Sequence, residues 1–473
     1  MIHLGLWLPL LAGLLLLILP GLGRTFAVAS AVVSLVISCV LFAGYGGQGV
    51  AYASQIPFLP EAGVYYALGL DGAGLFLWVA VNLVVLLGVW IADVPVRFLA
   101  YALMMQTGLL GIFAAQDLIF FYFFFEATLI PALLMLWFYG GPERLRAIYI
   151  FALFTLVGSL PMLAAIFAVR FLGGADSFLY TDLAANPLTG QTAALAFLGF
   201  LVALAVKTPL FPLHAWLPSF HQQNHPSGLA DAMGTLYKVG IFAFFKWAIP
   251  LMPEGFREWQ GLLLFLAAFG AIYAAWVAFS APDWKTLLAY AGVSHMGIGA
   301  LGLFSGNTEG TVGALYLLGA SMIYGSAMFL FVGLVYGRTG SLEINPVRGL
   351  AKHTPALYVL GMFLLMAMIG LPGLSGFPGE LMALLGAYKV SPWLTFVAFL
   401  AVIAAAAYAL TAFQKLFQES AQAQAVPDLN AREWGFAAVT VAVLLLMGLY
   451  PKLFTVYLEP LGKAIAALLG GAS

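Results

Sequence analysis

The chain has 473 residues, of which 63% are hydrophobic, 15% aromatic and 8% charged, with 18 Lys and Arg against 19 Asp and Glu. An average soluble domain carries about 25% charged residues, so this composition cannot cover a water-soluble protein of this length. It excludes a soluble enzyme, a disulfide scaffold, a disordered linker and a nucleic-acid-binding protein, and it indicates a polytopic helical membrane protein. The single cysteine, Cys39, predicts neither a disulfide framework nor a cysteine-based metal or cluster site.

Fourteen apolar runs are long enough to cross a bilayer, which takes about 20 mostly apolar residues. No Lys or Arg precedes the first run, as a signal peptide would require, so we expect this run to remain as a spanning helix. The runs are 3–20, 26–45, 71–92, 97–115, 117–138, 146–170, 190–211, 227–249, 259–280, 285–304, 309–336, 354–373 continuing to 388, 392–417 and 433–451.

Polar stretches separate several of these runs. We expect loops at residues 46–70, 172–189 and 418–432, and the stretch after Pro451 is either a surface helix or a continuation of the last span. No change in composition marks a second domain, so residues 1–473 are predicted to form one all-α transmembrane domain. An even number of spans places both termini on one side. Lys and Arg are more numerous in the loops of the other side, so the positive-inside rule predicts that both termini face outside.

Two ionisable residues lie within apolar runs of the first half of the chain. A charged side chain at the centre of a membrane-spanning helix costs about 2.5–3.5 kcal/mol on insertion into the membrane. Glu126 is central in the run 117–138 and is either functional or a protonated structural side chain. Lys207 precedes Pro209 and Pro212, which remove backbone donors and should break the helix at membrane depth. Irregular backbone at that depth is tolerated where it lines a wet cavity, which favours an ion path over a lysine that snorkels from a helix end.

Two more ionisable residues lie in later runs. Lys238 is central in the run 227–249 and follows Asp231 by two helical turns, so it is placed to accept and pass a proton. Glu380 follows the segment 371–379, whose Pro and Gly residues should break a second helix. Paired breaks beside charges, one in each half of the chain, indicate inverted repeats with a path between them.

Four histidines add groups that titrate near neutral pH. His214, His221 and His225 follow the first break, and His295 lies within the run 285–304. The spacing of the first three fits no standard metal site, so we expect no metal. A single histidine on an apolar helix is more often a packing residue, but His295 lies in a chain with buried charges and is a candidate for the path.

Three segments resemble a known family. KTPLFPLHAWLPSFHQQNHPSGLADAMGTLYKVG (207–240) resembles the signature of the antiporter-like subunits of respiratory complex I, and DWKTLLAYAGVSHMG (283–297) and GLPGLSGFPGE (370–380) match it as well. The resemblance covers essentially the whole chain. These subunits are related to the large subunits of Mrp-type Na+/H+ antiporters and to membrane-bound hydrogenases. Of the types L, M and N, the chain looks like type M, because types L and N usually carry a lysine at the position of Glu380.

The resemblance implies a membrane bundle of about 14 helices with two inverted five-helix repeats, roughly 97–249 and 259–417, each with one broken helix. It implies one proton path, in which Glu126 and Lys207 form a coupled ion pair and Lys238 is the central relay. His295 would link the halves and Glu380 would face the outward exit. The secondary path residues are His214, His221 and Asp231.

The resemblance also bears on partners and cofactors. It implies a bacterial inner-membrane location and contacts with lipid and with the other membrane subunits of complex I, including the L and N types, but none with nucleic acid. FMN, iron–sulfur clusters and quinone would belong to partner subunits, with no cofactor in this chain. Many relatives have a histidine where this chain has Ser321, so water or Tyr324 would bridge that point.

Two alternatives remain open beside the complex I interpretation. The same path residues would serve a subunit of a multi-subunit cation/proton antiporter or of a membrane-bound hydrogenase. A passive scaffold that holds other membrane subunits together is the alternative of a different class, although buried charges that served packing alone would be costly.

Overall fold

The computed structural model describes residues 1–344, 349–418 and 425–470, so part of the expected loop 418–432, residues 419–424, lies outside the described residues. Helices dominate the described chain. The N-terminal half contains α1 (Ile2–Ile18), α2 (Gly23–Ala43), α3 (Gly72–Ile91), α4 (Val96–Ala114), α5 (Leu118–Ala127), α6 (Leu129–Tyr139), α7 (Arg144–Gly173), α8 (Tyr180–Ala185), α9 (Gly190–Lys207), α10 (Trp216–Gln223), α11 (Leu229–Thr235), α12 (Gly240–Ala243) and α13 (Ile249–Leu251).

The C-terminal half continues with longer helices. These are α14 (Pro253–Ala278), α15 (Trp284–Phe304), α16 (Thr308–Thr339), α17 (Pro355–Met368), α18 (Gly376–Val390), α19 (Pro392–Phe417), α20 (Ala431–Leu449) and α21 (Lys452–Leu468). In the described part of the chain, 11 helical segments are long and apolar enough to cross a membrane, and α1 and α17 are shorter apolar helices. The predicted polytopic helical bundle is therefore confirmed, while the number of fourteen spans stays a prediction.

The interior of the bundle includes α3, α4, α15 and α16. Between 83% and 89% of the most apolar stretch of each of these helices is buried, against 33–39% for α2, α7, α19 and α20. The second set therefore presents apolar side chains outward, as helices that contact lipid must.

Residues 46–70 are not simply a loop, and this part of the prediction was wrong. They contain an antiparallel hairpin of β1 (Ala51–Leu59) and β2 (Val64–Leu70), with a turn closed by Gly63 at φ 70°. Pro57 made the strand hard to predict, because proline has no N–H to donate to a β ladder. In the structure Pro57 lies next to a register shift, where a missing donor is tolerated. The Tyr66 hydroxyl accepts a hydrogen bond from Trp7 Nε1 (2.8 Å), which ties the hairpin to α1.

Both predicted helix breaks are present. The first lies between the end of α9 at Lys207 and the start of α10 at Trp216, and the second lies between Met368 and Gly376. Gly370 and Gly373 adopt φ values of 73° and 92° in the second break, a backbone conformation that other L-residues rarely adopt. The seventh predicted span is therefore shorter than the expected run to residue 211.

The predicted run 227–249 is not one regular helix. It consists of α11, a 3₁₀ turn (Leu236–Val239), α12, a π-helical turn (Phe244–Ala248) and α13. Gly240 faces α9 so closely that a Cβ there would collide with the hydroxyl of Thr208. Close approach of the two backbones accompanies the local distortion. Lys238 lies in the 3₁₀ turn.

The stretch after Pro451 forms a separate helix, α21, instead of continuing α20. Its buried residues recur every three or four positions and pack on α16 and α3: Thr455, Leu458, Gly462, Ile465 and Ala466. Tyr457 contacts Tyr45 (ring centroids 5.6 Å apart), near the hairpin to which α1 is tied. Helix α1 therefore begins on the face of the bundle that carries the hairpin, and α21 packs on the same face.

Candidate functional site

Glu126 lies near the end of α5, just before Thr128 separates α5 from α6. Both oxygens of its carboxylate are buried, and neither accepts a hydrogen bond within the described part of the chain. Ser159 on α7 faces this carboxylate, but its hydroxyl donates to the Leu156 carbonyl at 3.1 Å. Buried polar atoms normally have a hydrogen-bond partner, so this carboxylate is an exception among the described residues and a candidate for a functional role.

Lys207 ends α9 and is 1% exposed. Its Nζ donates to the Phe125 carbonyl (3.4 Å) and to the Thr128 hydroxyl (3.3 Å), and it lies 4.7 Å from the centre of the Phe125 ring. These groups flank Glu126 in the sequence. Among the described residues, no contact within 4.0 Å joins the Lys207 ammonium to the Glu126 carboxylate. The carboxylate and the ammonium are therefore neighbours that are not in direct contact.

A narrow central cavity lies beside the first break. It brings together side chains from α9 to α17, among them Lys207, His221, Lys238, His295 and Tyr324. The space open to the centres of water molecules is about 20 Å³, more than the roughly 10–15 Å³ that one water needs. The cavity can therefore hold water between titratable side chains that do not touch one another.

Lys238 lies beside two glycines, one on α15 and one on α16. A Cβ on Gly292 would lie 3.6 Å from the Lys238 ammonium, and one on Gly325 would lie 3.8 Å from it. The lysine is 6% exposed, and no ion pair with Asp231 is formed in the described structure although the sequence places the two on one helical face. Lys238 therefore faces the central cavity without a carboxylate in contact.

His295 and Glu380 form a buried pair across the second half of the bundle. His295 Nδ1 lies 2.7 Å from a Glu380 oxygen, while His295 Nε2 has no partner among the described residues. The ring of Tyr324 lies 6.0 Å from the His295 ring, and its hydroxyl is likewise unpartnered in the described structure. Ser321 donates to the Leu318 carbonyl (2.9 Å), so Tyr324 is the side chain of this segment that lines the cavity.

His221 and Asp231 belong to a third buried cluster, which also contains Lys285. His221 Nδ1 and the side-chain amide of Asn224 each lie 3.0 Å from one Asp231 oxygen, and Lys285 Nζ lies 2.8 Å from the other. The charged members are at most 2% exposed. This cluster contacts the central cavity through His221.

His214 does not line the central cavity. It lies in a separate, more open pocket with Arg146, Gln222 and Tyr290, and α10 separates that pocket from the central cavity. Its Nδ1 is buried and has no partner in the described chain. No group of three His, Cys, Asp or Glu side chains in the described residues is arranged to hold a metal ion.

Comparison with known proteins places this geometry in a family. The model of the family described as "NADH:quinone oxidoreductase/Mrp antiporter, TM" matches residues 115–422. The chain is 59% identical over 473 residues to NADH-quinone oxidoreductase subunit 13 of Thermus thermophilus, covering 100% of both proteins. It is 34% identical to subunit M of Rhodobacter capsulatus over 93% of this chain and 89% of that protein.

The chain belongs to the NADH:quinone oxidoreductase/Mrp antiporter membrane family. A chain of respiratory complex I from Thermus thermophilus superposes with a TM-score of 0.97, 59% identity and 100% coverage of both chains. A chain of the Mrp complex from Dietzia superposes with a TM-score of 0.86 at 19% identity, covering 99% of both chains, which shows a shared fold. The predicted resemblance to the M-type antiporter-like subunits is confirmed.

Two buried lysines, Lys285 and Lys246, were not among the candidates predicted from the sequence, because we assigned both to loops when applying the positive-inside rule. Lys285 is the second residue of α15 and is 1% exposed. Lys246 lies in the π-helical turn and pairs with Asp71 at 2.8 Å, with the Tyr180 ring 4.6 Å from its Nζ. A signal for Lys246 was present, since it lies eight residues after Lys238 in the same apolar run.

Proposed function

We propose that the chain is a proton-translocating subunit of NADH:quinone oxidoreductase that spends energy released by electron transfer in other subunits. The observation that carries the proposal is the central cavity, around which Lys207, Lys238, His221 and His295 converge. Two carboxylates extend this row, since Glu380 contacts His295 and Glu126 lies beside the Lys207 site. Intramembrane ionisable residues are rare, and a row of them around a cavity large enough for water is what a proton relay requires.

Proton movement through this row follows from charge and distance. A carboxylate near an ammonium stabilises the protonated lysine, and the attraction falls as the two separate. Because Glu126 is near Lys207 but not bonded to it, a small displacement of Glu126 changes how strongly the lysine holds its proton. A released proton would pass through cavity water to Lys238 and then to His295 and Glu380. We propose that a charge change in a neighbouring subunit drives this switch along the membrane plane.

The two halves of the path correspond to the repeats proposed at roughly 97–249 and 259–417, each of which contains one broken helix. We also propose that the hairpin face and both termini lie outside and that the opposite face, rich in Lys and Arg, is cytoplasmic in a bacterial inner membrane. The proposed partners are the L- and N-type subunits and the subunits that carry FMN, iron–sulfur clusters and the quinone site.

The proposal is tested in the assembled complex reconstituted into vesicles, by measuring protons pumped per NADH oxidised. Lys238→Ala and Glu126→Gln are expected to lower this ratio while the complex still assembles. Lys389→Ala is the matched control, because Lys389 is half exposed and pairs with Glu309 on the surface. A Lys238→Ala complex that pumps at the normal ratio would refute the central relay, and normal pumping after loss of both Glu126 and Lys207 would support a scaffold.

The antiporter alternative is separated by purification. A tagged chain recovered from its own membranes with NADH-reducible flavin and iron–sulfur absorbance supports the complex I assignment. Recovery with hydrophobic subunits alone, followed by sodium-dependent proton exchange without NADH, would replace that assignment with an antiporter.

A further inference from the structure

A second buried ion pair lies on the hairpin side of the helix that contains Lys238. Lys246 Nζ lies 2.8 Å from an Asp71 oxygen, and each side chain is 6% exposed. Lys246 follows Lys238 by eight residues, which corresponds to about 12 Å along a helix. Neither Lys246 nor Asp71 lines the central cavity. The pair is therefore separate from the titratable groups of the proposed path.

The carboxylate of this pair is held in place by its own helix. Asp71 directly follows β2 and is the N-cap of α3, where one of its oxygens accepts a hydrogen bond of 2.8 Å from the Gly74 backbone N–H. The other oxygen is the one that contacts Lys246. The next residue, Gly72, lies against the Tyr457 backbone of α21. Because the start of α3 is held in this way, Asp71 is a fixed point of attachment for Lys246.

Lys246 lies in the π-helical turn, and all five residues of that turn, Phe244–Ala248, are buried. The Tyr180 ring lies 4.6 Å from the Lys246 ammonium and 5.6 Å from the Trp247 ring. A buried ammonium is costly unless a counter-charge is in contact with it. Asp71 is the carboxylate that contacts Lys246 in the described part of the chain. The pair therefore determines how the π-helical turn is rotated.

The 3₁₀ turn and the π-helical turn wind the helix in opposite senses. A 3₁₀ turn advances by about 120° per residue and an α-helix by about 100°, so the four residues Leu236–Val239 overwind the helix by about 80°. A π-helical turn, with its i→i+5 hydrogen bonds, advances by roughly 80° per residue, so the five residues Phe244–Ala248 underwind the helix by about 100°. The segment between the turns is thus rotated by roughly a quarter of a turn relative to α11 and α13, and Lys238 lies at its start.

This rotation decides what Lys238 faces. Its ammonium lies beside Gly292 and Gly325, where Cβ atoms would be 3.6 and 3.8 Å away, and both glycines line the central cavity. If the two turns relaxed together to α-helix, their rotations would cancel, so α11 and α13 would keep their places. A side chain rotated by roughly a quarter of a turn faces a different neighbouring helix. The relaxed helix would therefore direct Lys238 away from the cavity.

We propose that Lys246 and Asp71 are positioning residues for Lys238. Their ion pair holds the π-helical turn and thereby keeps the central lysine directed at the cavity. This assignment rests on the proposed function, because it names the residues that set the geometry of its central relay. Lys246 and Asp71 carry no transported proton in this role, and they act on the path through the backbone that joins Lys246 to Lys238.

The test is the number of protons pumped per NADH oxidised by the assembled complex in vesicles. This ratio does not depend on how much complex assembles, so a merely structural role would not change it. Lys246→Met should reproduce most of the decrease caused by Lys238→Ala, because misplacing a reacting group by about 1 Å can slow its step about 10²-fold. Lys246→Arg keeps the charge and should pump at the normal ratio.

Three further variants serve as controls. Glu433→Ala breaks another buried pair, with Arg338 on α16, and should lower the stability of the complex without changing the ratio. Asp71→Asn covers a failure of Lys246→Met to assemble; its amide oxygen can still cap α3, and loss of the charge should lower the ratio. The double variant Lys238→Ala with Lys246→Met should pump no less than Lys238→Ala alone, because the pair acts through Lys238.

The outcomes separate the two proposals. Normal ratios in Lys246→Met and Asp71→Asn, beside an impaired Lys238→Ala, overturn the positioning role and leave the proposed function standing. The positioning role also falls if Lys246→Arg is impaired as much as Lys246→Met, if the double variant pumps less than Lys238→Ala, or if neither Lys246→Met nor Asp71→Asn assembles. A normal ratio in Lys238→Ala overturns the proposed function itself. Lower ratios in Lys246→Met and Asp71→Asn, with normal pumping by Lys246→Arg, support the positioning role.

Discussion

Replacing Asp231 with Asn is expected to deplete this chain from the membrane, because the change leaves Lys285 buried without its carboxylate. Asp231 is fully buried and Lys285 is 1% exposed. At their separation of 2.8 Å, the attraction between the two charges is about 6 kcal/mol for an effective dielectric constant of about 20. Desolvation offsets part of this attraction, and removing one partner of a buried pair typically costs about 3–5 kcal/mol.

That cost is large beside the roughly 5–15 kcal/mol that separates a folded protein from its unfolded state. It corresponds to a decrease of roughly 10²- to 10⁴-fold in the ratio of folded to unfolded chain. The Asn side chain still accepts a hydrogen bond from His221, so the expected loss comes from the uncompensated ammonium of Lys285. We therefore expect the double variant Asp231→Asn with Lys285→Met to regain part of the lost stability.

The recovery of stability in the double variant should be partial, because Lys285 also donates to the carbonyls of Asn224 and His225. Each carbonyl left without a donor costs about 1–3 kcal/mol. The assay is the amount of tagged chain in membranes by quantitative immunoblot, together with the temperature at which half of the chain dissociates from the purified complex. Glu309→Gln is the control, because its surface pair with Lys389 is half exposed and should contribute about 0–1 kcal/mol.

Two results would refute this reasoning. An Asp231→Asn chain with normal abundance and normal dissociation temperature would show that Lys285 does not depend on the carboxylate. A double variant no more abundant than Asp231→Asn alone would show that the unpaired charge of Lys285 costs no more than its two carbonyl contacts contribute.

Three further variants extend the same assays. Lys246→Met should lower abundance because it leaves Asp71 buried without its cation, whereas Lys246→Arg should not; equal losses would contradict the role of the charge. Glu433→Ala should lower the dissociation temperature, because Glu433 accepts two hydrogen bonds from Arg338 and caps α20, and an unchanged temperature would contradict this. Tyr324→Phe should leave abundance unchanged, since its hydroxyl has no partner among the described residues, but should lower the protons pumped per NADH; normal pumping would remove it from the path.

The helix breaks were predictable because proline and glycine act through the backbone itself. Pro209 and Pro212 cannot donate to the preceding turn, so α9 ends at Lys207 whatever its surroundings. Glu380 was singled out for a related reason, because it follows the second break; the structure buries it against His295.

The distorted helix around Lys238 was not predictable from the same kind of signal. No proline lies between residues 229 and 249, and the 3₁₀ and π-helical turns accompany close contact with neighbouring helices, as at Gly240. The contacts of Asp231 show that helical periodicity does not predict the partner of a buried charge. Helical periodicity places it on the face of Lys238, but tertiary packing pairs it with Lys285, which is far away in the sequence.

The two missed lysines show why counting charges by loop fails near helix ends. Lys285 stands in the first turn of α15, where a lysine usually faces water, but the backbone at 224–225 folds over it and supplies carbonyl acceptors. These carbonyls belong to the connection between α10 and α11, so the burial of Lys285 depends on a tertiary contact that its own sequence neighbourhood does not show.

Helix α21 has a mechanical consequence for the path. At the start of α3, Gly72 lies against the backbone of Tyr457 so closely that a Cβ would collide with it. The preceding residue, Asp71, holds Lys246, which shares its distorted helix with Lys238. Helix α21 thus supports the distorted helix that contains Lys238, through its contact with α3 and the Asp71–Lys246 pair. A chain shortened before Pro451 would keep every titratable group of the path and yet lose the support that fixes the middle one.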